Sequence, residues 1–165
     1  IDGIGDSYEY IRGNADWNIL IDNIKEMQKF ENITRIVGAV AVQVSNVLVL
    51  DKMIKYFLDD LGIVFYTNMV NYPKVLCPQV LPNQLKELAI QRLEAVKLDV
   101  PNYRYVKENP ILLDITLGQI QGVINFIRST DQSELWQDCI EYNKRLDTSR
   151  KQNFLSATPE FKPYV

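Results

Sequence analysis

The chain contains no histidine, which removes several kinds of chemistry together: Ser-His and Cys-His nucleophile pairs, His-ligated metals and imidazole acid–base catalysis. Its two cysteines, Cys77 and Cys139, form no C-x-x-C pair and are too few for the four-thiolate ligation of an ordinary iron–sulfur cluster. Cys139 falls on the apolar side of a helical pattern and reads as a core residue; Cys77 lies in a loop between Leu76 and Pro78. Asp59-Asp60 looks like an acid–base pair, but neighbours on a helix point about 100° apart and do not share a site. What remains is a set of neutral amides, Gln43, Asn46 and Asn68, each placed just after an apolar run. Such groups suit a polar ligand without a metal. Their plainer role is to terminate strands, whose backbone ends need hydrogen-bond partners.

These amides need strands and helices to position them. Trp17, Leu20, Ile21, Ile24 and Met27 make a helical stripe with Asn14 or Asp16 as N-cap, ending near Phe30. The β-branched run 33–44 follows and predicts a strand covered on both faces of a parallel sheet. Leu50, Met53, Ile54, Phe57, Leu58 and Leu61 resume the helical period up to a C-cap glycine, Gly62, before a second buried strand, Ile63-Val64-Phe65-Tyr66. The alternation predicts adjacent parallel strands joined by a helical crossover, with the amides at the C-terminal strand ends where α/β folds gather their sites.

Past Asn71 the prolines 73, 78 and 82 break a loop, and three helical patterns follow. Leu85, Leu88, Ala89 and Leu93 mark the first. Asn109-Pro110 predicts the cap of the second, whose buried face is Leu113, Leu117, Ile120, Ile124 and Ile127. Asp131 with Glu134 predicts a capping box for the third, carrying Leu135, Trp136, Cys139 and Ile140. Tyr103, Tyr105, Trp136, Tyr142 and Phe161 are expected to pack the helices, and the tail 153–165 to lie extended on the surface.

Lys and Arg number 18 against 21 Asp and Glu, a net charge of −3 without a run of either sign, so charge gives no support to nucleic-acid or anionic-membrane binding. The longest apolar stretch, 36–50, is broken by polar residues and falls short of the roughly 20 residues a bilayer span needs. With few cysteines, a reducing cytoplasm is the expected setting. The opening Ile1-Asp2-Gly3-Ile4-Gly5, without Met or leader, is expected to lie inside a longer protein.

Asp2-Gly3-Ile4-Gly5, Tyr10-Ile11-Arg12-Gly13, Trp17 and Asn23-Ile24 together resemble the segment after the fourth barrel strand of radical SAM enzymes. Val42-Gln43-Val44-Ser45-Asn46, Asn68 followed by Pro73, Val80-Leu81-Pro82, and Arg145 to Arg150 running on to Pro159-Glu160-Phe161 are similar to the twitch-domain members of that family. The resemblance implies an α/β fold in which 1–82 is the C-terminal portion of a partial (βα) barrel of radical SAM type and 83–165 a mostly helical, twitch-like extension. It implies S-adenosylmethionine and a [4Fe-4S] cluster in the parent protein, with the C-x-x-x-C-x-x-C loop upstream of Ile1 and neither group bound by this chain alone. The 5′-deoxyadenosyl radical formed there would act on a small-molecule substrate that the resemblance does not identify.

Carried over by position, Arg12 matches the family's arginine for the cofactor carboxylate, Asp2 sits beside the strand-four polar group, and Gln43, Asn46 and Asn68 match pocket positions on strands five and six. A guanidinium suits that role because its planar fork binds a carboxylate bidentately. The absence of cysteines for an auxiliary cluster departs from part of the family. Two alternatives stay open: a non-redox (βα) barrel lyase or epimerase, which lacks clustered acid–base residues here, and a non-catalytic helical interaction module.

Overall fold

The computed structural model describes residues 1–165. The β-branched run 33–44 becomes a strand only over Val37–Val42 (β1). Burial alternates along it: Gly38, Val40 and Val42 are buried, while Val37 and Ala39 are exposed. Cover on both faces is therefore not what this chain provides. At the far end Gln43 and Asn46 form a reciprocal capping box that turns the backbone into a short helix, Val44–Val47 (following α1 and α2 below, α3). Val44 thus belongs to a helix, and residues 33–35 are exposed and irregular.

Upstream, Asp6–Arg12 forms α1 and Trp17–Met27 forms α2; Asp16 is the N-cap of α2, its carboxylate accepting from Ile19 N at 3.0 Å. Downstream of α3, α4 (Leu50–Lys55) runs into a π-helical turn at Tyr56–Leu61 and stops at Gly62, whose φ of 66° is the left-handed conformation that favours glycine. Strand β2 (Val64–Met69) then pairs with β1 in parallel, in register from Val37↔Val64 to Val42↔Met69. This is the adjacent parallel pairing that the amphipathic crossover predicts. The sheet has these two strands; the architecture is mixed α/β and mostly helical, and two strands do not close a barrel.

The rest of the chain is α5 (Asn83–Asp99), α6 (Arg104–Glu108), α7 (Leu112–Ser129), α8 (Trp136–Arg150) and α9 (Phe154–Ala157), ending in a 3₁₀ segment, Pro159–Tyr164. Helix α5 packs on α4, and α7 on β2, so one apolar core runs from Tyr10 to Phe161 across position 82. No helix is long and apolar enough to cross a membrane.

Three local expectations are corrected. Asn109 does not cap α7: its amide turns back to donate to Tyr105 O, and the buried face is Leu112, Thr116, Ile120, Val123, Ile124 and Ile127, with Leu113 and Leu117 half-buried. Asp131 makes no capping box with Glu134; it accepts from Ser133 N at 3.1 Å and from Lys86 Nζ at 2.5 Å, and a 3₁₀ turn at Ser133–Leu135 precedes α8. The tail is not an extended surface strip. Phe154 and Phe161 are buried and join Tyr10 to Trp136 through ring contacts of 5.4 to 5.7 Å. Two phenylalanines spaced seven apart place one ring each on α9 and on the 3₁₀ turn, and burying them outweighs the extended tendency of the flanking prolines.

Candidate functional site

In a parallel strand, alternate residues turn their backbone groups to opposite edges. Along β1, Val37, Ala39 and Ala41 face away from β2. The first residues of the chain lie along this outer edge: the Ile1 ammonium donates to Ala39 O at 2.6 Å, and Ala41 N donates to Asp2 Oδ1 at 2.7 Å. Asn46 completes the seal. Its amide nitrogen donates to Ala41 O and to Asp2 O, both at 2.8 Å, while its carbonyl oxygen accepts from Gln43 N at 2.8 Å. Gly3 is required for the turn into α1, because a Cβ there would stand 2.5 Å from Tyr8 N.

Four of the candidate residues therefore meet at the C-terminal end of β1, in two kinds of role. Asn46 is fully buried and spends its amide on backbone partners, so it terminates the strand. Gln43 is buried too, its side chain accepting from Asn46 N in the capping box. Asp2 is 3% exposed and divides its carboxylate between Ala41 N and the Arg12 guanidinium, 2.5 Å away. Arg12 differs from all of these. Its side chain is 53% exposed, so one edge of the guanidinium is fixed by Asp2 and other N–H donors are free. It reaches Asn46 only through Asp2. Asn68 lies outside the cluster: it is exposed on β2, in register with Ala41.

Burial sets the titration of the groups behind this end of the sheet. Tyr10, on the inner side of α1, donates to Asn143 Oδ1 at 3.0 Å, and Asn143 Nδ2 donates to Cys139 O at 2.8 Å. Burial first, then the Asp147 carboxylate, holds the Tyr10 hydroxyl far above its ordinary value. Burial pushes the Cys139 thiol up to about 12 against the opposing hydrogen bond from Asn143, and burial also raises Cys77. Both thiols are neutral packing groups, which answers the loop reading of Cys77: it is 2% exposed. Buried on separate elements, they do not fit a cluster, and no group of three or more Cys, Asp or Glu is placed to hold a metal ion. Toward a ligand such as S-adenosylmethionine, two side chains of the cluster have donors to spare: the half-exposed Arg12 guanidinium, whose fork is of a shape to take a carboxylate, and the Gln43 amide nitrogen, since Gln43 serves the capping box only as an acceptor.

A polar cleft of about 420 Å³, lined by Arg12, Gly13, Asn14, Ser149, Arg150 and Lys151, was not foreseen as a site. Its only local signal is the turn dipeptide Gly13-Asn14; nothing in the sequence brings the end of α8 against the end of α1. Asp59-Asp60 is not an acid pair, since Asp59 accepts from Arg104 N at 3.0 Å while Asp60 is exposed. Compared with protein-family models, with curated proteins and with solved structures, the chain matches none.

Proposed function

We propose that this chain is the C-terminal part of a radical SAM enzyme, contributing two strands of a partial (βα) barrel and a helical, twitch-like extension, and working in the cytoplasm with its thiols reduced. The supporting observation is the ion pair of Asp2 with Arg12 at the C-terminal end of β1, where α/β folds assemble their ligand sites. The sheet around it is consistent with that reading. Ile1 and Asp2 run alongside Ala39 and Ala41 in the same direction as β1, the sense of a further parallel strand. Parallel sheets are ordinarily covered on both faces, yet the face bearing Ala39, Tyr66 and Asn68 is exposed.

In this reading Arg12 offers its free donors to the cofactor carboxylate, and Asp2 fixes the plane of the guanidinium. Asn46 and Gln43 hold the strand end against which both are set. Asn68, level with Ala41, faces a ligand approaching the open face. The bound cofactor would supply radical chemistry, with its cluster held by cysteines elsewhere in the parent; this chain binds and orients.

The test uses the full-length parent, reconstituted anaerobically. It should form a [4Fe-4S] cluster and bind S-adenosylmethionine, and Arg12→Ala should weaken that binding about ten- to 150-fold, the range for a hydrogen bond to a charged group. Arg12→Lys should recover part of the loss, since an ammonium keeps the charge but not the fork. A parent with no cluster-binding cysteine loop would sink the proposal, and unchanged affinity in Arg12→Ala with the cluster intact would remove Arg12 from the site. The 165-residue chain alone is expected to take up no iron.

A further inference from the structure

We infer that the cleft between the C-terminal ends of α1 and α8 binds a single oxyanion group, a carboxylate or a phosphate, through Arg150, Lys151 and the free edge of Arg12. The lining holds three cations, no acid and no apolar side chain, in a chain whose net charge is −3. Neither Arg150 nor Lys151 makes an ion pair. Two helix C-termini meet here, and each carries at most about half a negative charge. With the Asp2 carboxylate, and leaving aside Asp147, whose carboxylate is engaged by Phe154 N and Tyr10 and does not line the cleft, the negative charge at the lining comes to about two against three positive side chains, an excess of about one. That excess suits one oxyanion group.

The walls are fixed to each other before any ligand arrives. Arg150 Nη1 donates to Tyr10 O at 3.3 Å, Gln152 Nε2 donates to Glu9 O at 3.0 Å, and a Cβ on Gly13 would stand 3.6 Å from Arg150 Cζ. Asn14 and Lys151 adopt left-handed backbone angles, φ 55° and 54°, and Gly13 has φ 50°, so the turns at both helix ends are held in unusual geometry around the same space. Compensation of helix carbonyls accounts for Arg150, which bonds to one, but not for Lys151, which is exposed, lies past the helix end and bonds to none of them through its side chain. The inference shares the free edge of Arg12 with the radical SAM proposal, but Arg150 and Lys151 have no part in that proposal, so a titration of this chain read at Lys151 fails or succeeds separately from it.

The experiment titrates the ¹⁵N-labelled chain with inorganic phosphate and, separately, with acetate, holding ionic strength constant with chloride. Saturable shifts at the amides of Gly13, Asn14 and Lys151 are expected. Saturation by phosphate alone would assign a phosphate group; saturation by acetate as well would assign a carboxylate-compatible site. Lys151→Asn keeps a residue tolerant of the left-handed conformation and should weaken binding about fivefold, the effect of one charge at roughly 4 Å in water. Lys151→Glu should abolish saturation, and Lys107→Gln, at an exposed position of α6, should change nothing. Shifts reproduced by chloride, or unaltered affinity in Lys151→Asn with an otherwise native spectrum, would overturn the site.

Discussion

The two faces of the β1–β2 sheet have similar backbones and opposite surroundings. On one face Val40 and Val42 of β1 and Phe65 of β2 are almost completely buried, with Phe65 lying 6.5 Å from Phe57 between ring centroids. On the other, Val37, Ala39, Tyr66 and Asn68 are exposed, and only Val64, at the start of β2, is buried among the paired residues of that face, with Ala41 half-buried. The outer edge of β1 divides in the same manner. Its C-terminal half is sealed by Ile1, Asp2 and Asn46, whereas Val37 at its start is 42% exposed. The helices of this chain thus complete one side of the sheet and leave the other available. A strand pair is held by what packs on it, and here a single packed face is enough to fix the register.

The largest effect that would break this comparison is in the core. Phe65→Ala should cost about 3 to 5 kcal/mol in urea unfolding, whereas Tyr66→Ala on the open face should cost at most about 1 kcal/mol. Equal losses would mean that the two faces are equivalent in solution. Next comes the sealed strand end. Asn46→Asp would set a buried carboxylate oxygen against Ala41 O and Asp2 O, and a destabilisation of about 3 kcal/mol is expected, against less than about 0.5 kcal/mol for Val37→Thr at the open end of the same edge.

A smaller effect is acid-dependent. The hydrogen bond from Lys86, followed by those from Ser133, holds the Asp131 carboxyl at about 2, below its ordinary 3.8. A depressed folded-state value stabilises the fold above the unfolded value and is lost as pH falls through the folded one. The difference in stability between the wild type and Asp131→Asn should therefore be constant above pH 3.8 and shrink toward pH 2, as thermal melts across that range would show. The least perturbing check is alkylation. With Cys139 raised to about 12 and Cys77 also raised and buried, neither should react with iodoacetamide at neutral pH in native protein, and both should react in denaturant. Rapid labelling of one native thiol would show that the covered side opens there.

Much of the secondary structure was legible because periodicity is local. The stripe from Trp17 gave α2 with Asp16 as its cap, and the run ending at Gly62 gave the crossover and, with it, the parallel pairing. Misreadings arose where a polar side chain had two possible partners. Asn109 and Asp131 are good capping residues by type, yet one bonds back to Tyr105 and the other reaches a lysine on α5, because those partners were nearer in the folded chain. The candidate site was legible in part. Gln43 and Asn46 were marked by their place after an apolar run, but whether their amides face a ligand or their own strand end depends on backbone groups that sequence does not orient.

Composition and pattern alone determined that histidine chemistry is absent, that one strand follows the other in parallel, and that apolar faces suffice for a core; each depends only on residue types and their spacing. The tertiary structure decided the rest. It brought Asp2 to Arg12 and both to Asn46, drew Phe154 and Phe161 into the core, and set Arg150 and Lys151 beside Arg12. These are contacts between residues far apart in the chain, and their strength comes from burial and charge in a shared volume, which no local pattern encodes.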